Sequence, residues 1–468
     1  MAAYLLFEVM VMLLSRLNDA VWSPWLLGLF LAAGLYYSLR TGFFQLFRIP
    51  LWLRTTFGAM LRRRGRGNGR GISQFQALAT ALASTIGTGS IAGVATAIWF
   101  GGPGAVFWMW VSALLGMMTG CAEKLLSVRY RRAGPAGWLG GPMYYIRDGL
   151  KSPLLAGWFA LACLPATLTG GDMVQSSSIA AALQATFGWD RLAVGAAVAV
   201  LTGLVMVGGI GRIARVSSGL VPAMALLYLG GGAAVLVARA DQIPEAMALI
   251  FCSALRPEAA VGGGMGYTLA AALRYGVARG VFTNEAGLGT SAMAHAAAEV
   301  DCPARQGMWG IVEVCVSTLL VCTATALVIL VSGVYGPADA LVRGALGAVP
   351  PDRLGAPLTA AAFSSVLGPW GGAVVSLSLL LFAFSSILGW SWYGEQSILY
   401  LTGSRRLVPA YRLVFLSCVV LGSVWEGEAV WELVDLCNAL MAIPNLTALL
   451  LLSPQVLREL RDWERTGG

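Results

Sequence analysis

Two scarcities shape the reading of this 468-residue chain: it has one histidine, His295, and only 12% of its residues are charged. One imidazole cannot supply a bis-histidine haem or an HExxH zinc site. The eight cysteines form no CxxC pair and mostly fall inside apolar runs. They read as small packing residues rather than as a disulfide framework or a zinc site. No GxxxxGK(S/T) loop is present, and no polar stretch could house an ATPase. These absences argue against ATP-driven pumping and redox chemistry. An enzyme is the least favoured class, because no nucleophile–base pair or metal cluster can be assembled around one histidine.

What is abundant is apolar surface. Hydrophobic residues make up 57% of the chain and the mean hydropathy is +0.74, whereas soluble domains carry about 25% charged residues. Apolar runs near the roughly 20 residues needed to cross a bilayer recur throughout. The expected fold is an all-α polytopic membrane protein with about eleven spans, at 22–39, 74–99, 104–129, 155–183, 191–210, 216–238, 267–298, 308–334, 370–400, 409–424 and 430–453. The first fourteen residues, up to Leu14, are too short to cross and lack a basic leader region. They are expected to form an interfacial helix rather than a signal peptide.

The net charge of +8 is unevenly placed. Arginines crowd the segment after span one (Arg40, Arg48, Arg54 and the run 62–70). They recur in alternate loops with Lys124, Arg131, Arg132, Arg147, Arg212, Arg215, Arg305, Arg405, Arg412, Arg458 and Arg461. Under the positive-inside rule this pattern sets the N-terminus outside and the C-terminus in the cytoplasm. The basic surplus is therefore topological, and nucleic acid is not an expected partner. The run 62–70 could touch anionic lipid. The preference for arginine over lysine suggests a bacterial inner membrane.

Within span two, "STIGTGSIAG" (84–93) packs three glycines and four hydroxyls into ten residues. Gly89 and Gly93 fit a GxxxG packing motif, and that is one reading. The other is a broken helix, since irregular backbone survives at membrane depth only where it lines a cavity. Span seven carries a counterpart in "TNEAGLGT" (283–290), so G-x-G-(Ser/Thr) occurs mid-span twice, five spans apart. An odd separation makes the two helices antiparallel, the mark of inverted repeats around a central transport site. The repeats would be 73–240 and 241–453. A first segment, 1–72, holds an additional helix and the basic loop, and 454–468 forms a cytoplasmic tail. Unwound N–H groups suit a carboxylate and unwound carbonyls suit Na⁺ or an ammonium. A zwitterionic amino acid needs both.

These stretches, with "GGPMYYI" (140–146), "GVFTNEAGLG" (280–289), "FAFSSILGWSWYGE" (382–395) and "NALMAIPNLTALLLLS" (438–453), resemble the alanine or glycine:cation symporter family, the sodium:alanine symporters. The resemblance covers nearly all of the chain after span one. It implies a leucine-transporter-like fold of five plus five helices and one extra N-terminal helix. It also implies Na⁺ as coupling ion, no cofactor, and uptake of a small neutral amino acid, alanine or glycine. Carried over, Na⁺ would meet carbonyls at Ala83 and Ile86 and the hydroxyls of Ser385 and Ser386. The substrate would meet Thr85, Thr88, Gly89, Ser90, Gln175, Ser176, Thr283, Asn284, Gly287 and Trp390, with Asp172 beside them. Without the resemblance, Ser385 and Ser386 also read as hydroxyls bonded back to their own helix.

The chain departs from the family pattern near this site. Ser90, Asp172 and Ser177 stand where asparagine is usual, Ser317 where aspartate is common, and Ala292 where proline is expected. An intramembrane carboxylate is costly and marks function by default. Asp172 therefore keeps two alternatives open: a coupling cation changed to H⁺ or a changed amino-acid specificity. A transport-dead amino-acid sensor is a third. His295 reads as a hydrogen-bonded structural residue, Glu123 and Glu313 as partners of arginines or helix caps, and Glu285 with Arg279 as a pair flanking the second break.

Overall fold

The computed structural model describes residues 12–18, 20–61, 71–134, 137–255, 269–336, 355–425 and 428–466. The expected interfacial helix at 1–14 and the basic run 62–70 fall largely or wholly outside these residues. We label the long and site-bearing helices in chain order: α1 (Pro24–Arg40), α2 (Gln74–Thr85), α3 (Val94–Gly101), α4 (Gly104–Arg129), α5 (Pro153–Leu168) and α6 (Val174–Phe187). They continue with α7 (Arg191–Met206), α8 (Gly209–Ala238), α9 (Leu269–Asn284), α10 (Ala292–Ala296), α11 (Pro303–Val314) and α12 (Thr323–Val331). The last are α13 (Ala356–Leu367), α14 (Pro369–Thr402), α15 (Val408–Val424), α16 (Glu428–Leu451) and α17 (Ser453–Arg465). Among the described residues, seven helices are long and apolar enough to cross a bilayer, or eight when the bent pair around Gly87 is taken as one span.

Several spans differ from their sequence-based outlines for local reasons. α2 opens with a capping box, in which Ser73 and Gln76 satisfy each other's backbone N–H groups. It then stops at Ile86 and Gly87, and the chain resumes at a 54° bend. The span-four helix runs from Pro153 to Phe187 through a π-helical turn, Thr169–Met173, at the Gly170–Gly171 pair. Two further π stretches are Gly89–Gly93, which leads into α3, and Cys315–Cys322, which joins α11 to α12. Such π turns insert one residue into the α ladder and re-aim the side chains around it. α8 begins at Gly209, so Arg212 and Arg215 lie on its first turns instead of in a loop.

α4 is the central post. It packs against α1, α9 and α11, and it crosses α11 where Gly310 meets the backbone of Gly120, with a Cβ at Gly310 falling 2.5 Å from the Gly120 oxygen. Backbones this close are how helices gain dispersion contact where lipid supplies no hydrophobic drive. Outer helices keep apolar faces exposed, among them Leu201, Leu204 and Val207 at α7, Leu226 and Val237 on α8 and Leu413 on α15. That inside-out pattern fits a lipid surround.

Candidate functional site

The first break gathers oxygens. The Ser385 hydroxyl lies 2.8 Å from the Phe382 carbonyl of its own helix and 3.0 Å from the Ala83 carbonyl, and the Ser386 hydroxyl reaches the Ala83 and Ser84 carbonyls at 3.1 and 3.2 Å. All five residues are buried. Ile86 is the first residue off the helix, with φ −84° and ψ 80°. Gly87 sits so close that a Cβ there would lie 2.6 Å from the Ser386 oxygen and 3.1 Å from the Gln175 side-chain oxygen. Only glycine leaves this approach open. Sequence reading did not name the Ser84 carbonyl; its signal is its position one residue from Ala83 at a helix end whose carbonyls have no N–H partner.

Beside these oxygens lies a cavity of about 20 Å³, room for about one water molecule. Its wall includes Ser84, Thr85, Gly87 and Gly89 from the first break and Gly170 and Gln175 from span four. Phe282, Glu285 and Leu288 come from the second break, Trp390 from α14, and Val434 and Asn438 from α16. Gln175 ties two of these together: its amide donates to the Gly170 carbonyl at 3.0 Å while its oxygen accepts from the Thr88 N–H at 3.4 Å. Val434 and Asn438 stand one turn apart on α16 and went unread in the sequence, because a valine and an asparagine near a span end carry no signal of their own.

The structure sets Thr85, Gly89, Gln175 and Trp390 on the cavity wall; the other residues expected to touch substrate do not line it, and of these the Thr283 hydroxyl lies 3.3 Å from where a Cβ on Gly89 would stand. Thr88 is buried behind the cavity and contributes its N–H to Gln175. The Ser90 carbonyl accepts from Thr325 at 2.9 Å, and Ser176 turns to the Val419 carbonyl at 2.6 Å. Asp172 is buried with no exposure, and the groups that feel its charge, Tyr411 and Cys418, lie on α15 away from the cavity. The Thr283 hydroxyl donates to the Arg279 carbonyl at 2.7 Å. Asn284 caps the break by accepting from the Ala286 N–H at 3.0 Å. Gly287 faces Phe30 of α1. The π turn at Thr169–Met173 accounts for Asp172 and Ser176, and another at Gly89–Gly93 for Ser90, since each re-aims the residues in and after it.

The second break, residues 285–291, is held by a buried polar web. Gly287 and Gly289 adopt φ of +100° and +82°, which glycine alone tolerates readily. Glu123 accepts from the Gly287 N–H at 2.9 Å and from the Asn445 amide at 2.7 Å, and that amide also reaches the Gly287 carbonyl at 2.9 Å. Tyr145 donates to the Asn445 oxygen. Lys124 bridges Glu123 and Glu313 at 3.4 and 3.3 Å, all three fully buried. The partner of both glutamates is therefore Lys124 and not an arginine, and Lys124 is no part of a basic loop. His295 stands between Gln306 at 2.6 Å and Glu313 at 3.2 Å, the structural reading of that residue. An amide donor on Nδ1 leaves the imidazole proton on Nε2, facing Glu313. Glu285 accepts from the Thr290 hydroxyl. Arg279 instead lines a larger outer cavity of about 310 Å³ with Arg274, Glu432 and Asp435, so the expected Glu285–Arg279 pair is not formed. Phe282, Leu288 and Asn438 belong to the walls of both cavities.

Comparison with known proteins agrees with this architecture. The model of the sodium:alanine symporter family matches residues 7–467. The sodium/alanine symporter AgcS of Methanococcus maripaludis is 41% identical over 456 residues, 96% of each chain. The Bacillus subtilis protein named Probable sodium/glutamine symporter GlnT is 36% identical, over 96% of this chain and 89% of its own. Among solved structures, a mutant of the Eremococcus coleocola manganese transporter aligns with a TM-score of 0.53 at 17% identity. That alignment covers 81% of this chain and 79% of that one, a likeness of fold alone. The chain belongs to the sodium:alanine symporter family and is a transporter, with Na⁺ as its coupling ion, rather than an enzyme.

Proposed function

We propose that this chain carries a small neutral amino acid inward with Na⁺ by alternating access. The observation that carries this reading is the convergence of the Ser385 and Ser386 hydroxyls on the Ala83 and Ser84 carbonyls, directly beside a cavity walled by Gly87 and Gly89. Carbonyl and hydroxyl oxygens are the ligands a hard cation takes. With the hydroxyls turned to present lone pairs, Na⁺ would sit among them next to the substrate carboxylate. The backbone N–H groups of the first break would take that carboxylate, and Glu285, which also lines the cavity, would meet the ammonium.

Tightness supports the substrate class. Phe282, Leu288, Trp390 and Val434 close an apolar wall on a cavity with room for about one water molecule, so the site must widen for any amino acid and a small one, alanine or glycine, asks least of it. The outer cavity would be the approach route, since it shares Phe282, Leu288 and Asn438 with the wall of the inner one. The eleven-span count, the repeats 73–240 and 241–453, an outside N-terminus and a bacterial inner membrane belong to the same reading. Uptake of labelled alanine, glycine and glutamine into proteoliposomes tests it. Accumulation of alanine or glycine under an inward Na⁺ gradient is the expected result. Binding without accumulation would point to a sensor, and glutamine as sole substrate would overturn the size argument.

A further inference from the structure

The inner cavity leaves one buried charge-bearing group unused. Asp172 sits in the π turn between α5 and α6 with no exposed surface, and among the described residues neither carboxylate oxygen has a hydrogen-bond partner. An ionised carboxylate in such a place has no donor or cation among the described residues to offset its desolvation. The titratable groups that face it are Tyr411 and Cys418 on α15. Around Tyr411 lie Cys163 of α5 and Glu395 of α14, the latter held by Arg412 at 2.6 Å. None of these supplies a positive charge to Asp172 itself.

The turn that carries Asp172 also shapes the substrate cavity. A Cβ at Gly170 would meet Val434 at 2.9 Å, and one at Gly171 would meet Trp390 at 2.4 Å. The Gly170 carbonyl holds Gln175, which in turn holds Thr88 at the first break. On the other side, Gly422 of α15 packs on the backbone of Met173. A movement of α15 against this turn would shift Asp172 and the cavity wall together.

We propose that Asp172 is a proton-binding site of this transporter, loaded when the amino acid and Na⁺ are bound and emptied when the site opens to the cytoplasm. The inference rests on the Na⁺-coupled symport reading and adds H⁺ as a further cargo ion. The step balances as carboxylate plus hydronium giving carboxylic acid plus water, with the reverse on release. Because the proton and the amino acid then favour the same closed state, each raises the affinity for the other. Apparent affinity for alanine should fall as pH rises, by up to about tenfold per pH unit across the titration.

The test uses the full chain in proteoliposomes containing a trapped pH-sensitive dye, with an inward Na⁺ gradient and alanine added outside. Wild type should acidify the lumen in step with alanine uptake, and its KM for alanine should rise from pH 6 to pH 8. Asp172→Asn should lose both the acidification and the pH dependence, and Asp172→Glu should restore them. Thermal unfolding of each variant in detergent monitors folding, with Asp172→Ser as the second neutral variant should the asparagine chain not fold. Wild type that takes up alanine with Na⁺ but without acidification overturns the proposal and leaves the symport reading intact. Acidification by Asp172→Asn at the wild-type rate overturns it equally. Absence of any Na⁺-driven uptake in wild type overturns the symport reading and this proposal with it.

Discussion

At the residue scale, the account turns on a few atoms at the first break. Ser386→Ala removes one of the oxygens around the candidate Na⁺ position. A hydrogen bond or ligand contact to a charged group contributes about 1.5–3 kcal/mol, so half-saturation by Na⁺ should rise by about tenfold or more. Gly87→Val forces a Cβ against the Ser386 and Gln175 oxygens. It should abolish amino-acid binding in an equilibrium assay while the protein still folds. On the opposite wall Val434 limits the room for a side chain. Val434→Gly should shift the ratio of alanine to glutamine uptake toward glutamine, by about tenfold on the scale of a few methylenes in an apolar pocket. An unchanged ratio would remove Val434 from the specificity wall.

Elements are held in place by groups that the residue patterns only partly announced. The two breaks were legible as glycine–hydroxyl clusters inside apolar spans, because such clusters conflict with the regular backbone that lipid requires. Thr85, Gly89, Gln175 and Trp390 were legible with them. The positions of Ser176 and Asp172 were not, because a π turn adds one residue of rotation and leaves no mark in hydropathy. Nor was Lys124 between Glu123 and Glu313, since pairing across helices depends on packing that spacing does not encode. Lys124→Met strands two buried carboxylates and should cost about 3–5 kcal/mol of stability, read as a lowered Tm in detergent.

A second tie joins the ends of the broken helices. Ile72, just before α2, pairs with Ala298, just after α10, and exchanges backbone bonds of 3.0 and 2.8 Å with Ala297 and Glu299. Arg131 reinforces the junction: its guanidinium donates to the carbonyls of Ala296 at 3.2 Å and Val300 at 2.7 Å, and also reaches the Ala298 carbonyl at 2.5 Å. It stacks 4.2 Å from the Trp138 ring centre as well. Opening this end of the molecule must break these contacts. Arg131→Ala should speed hydrogen–deuterium exchange across 296–300 and favour the conformation open at that end. Equal exchange in the two proteins would contradict the role.

For the whole molecule, two features stand together. The end that carries Arg131 and α17 is held by the contacts just described, while at the other end a cavity of about 310 Å³ shares Phe282, Leu288 and Asn438 with the inner one. That asymmetry is what one state of an alternating-access cycle requires. The fold class and family followed from composition and from motifs spread over most of the chain. The proposed Na⁺ position rests on the expected Ala83, Ser385 and Ser386, which the structure brings into contact, with Ser84 added by geometry.

The central claim is that Na⁺ binds at the first break and drives amino-acid uptake from there. The most direct measurement is the Na⁺ dependence of alanine uptake by wild type and Ser386→Ala in proteoliposomes at matched protein density. The account predicts Na⁺-dependent uptake in wild type and a rise of about tenfold or more in the half-saturating Na⁺ concentration for the variant. Identical Na⁺ curves for the two proteins would place the coupling ion elsewhere and contradict the account.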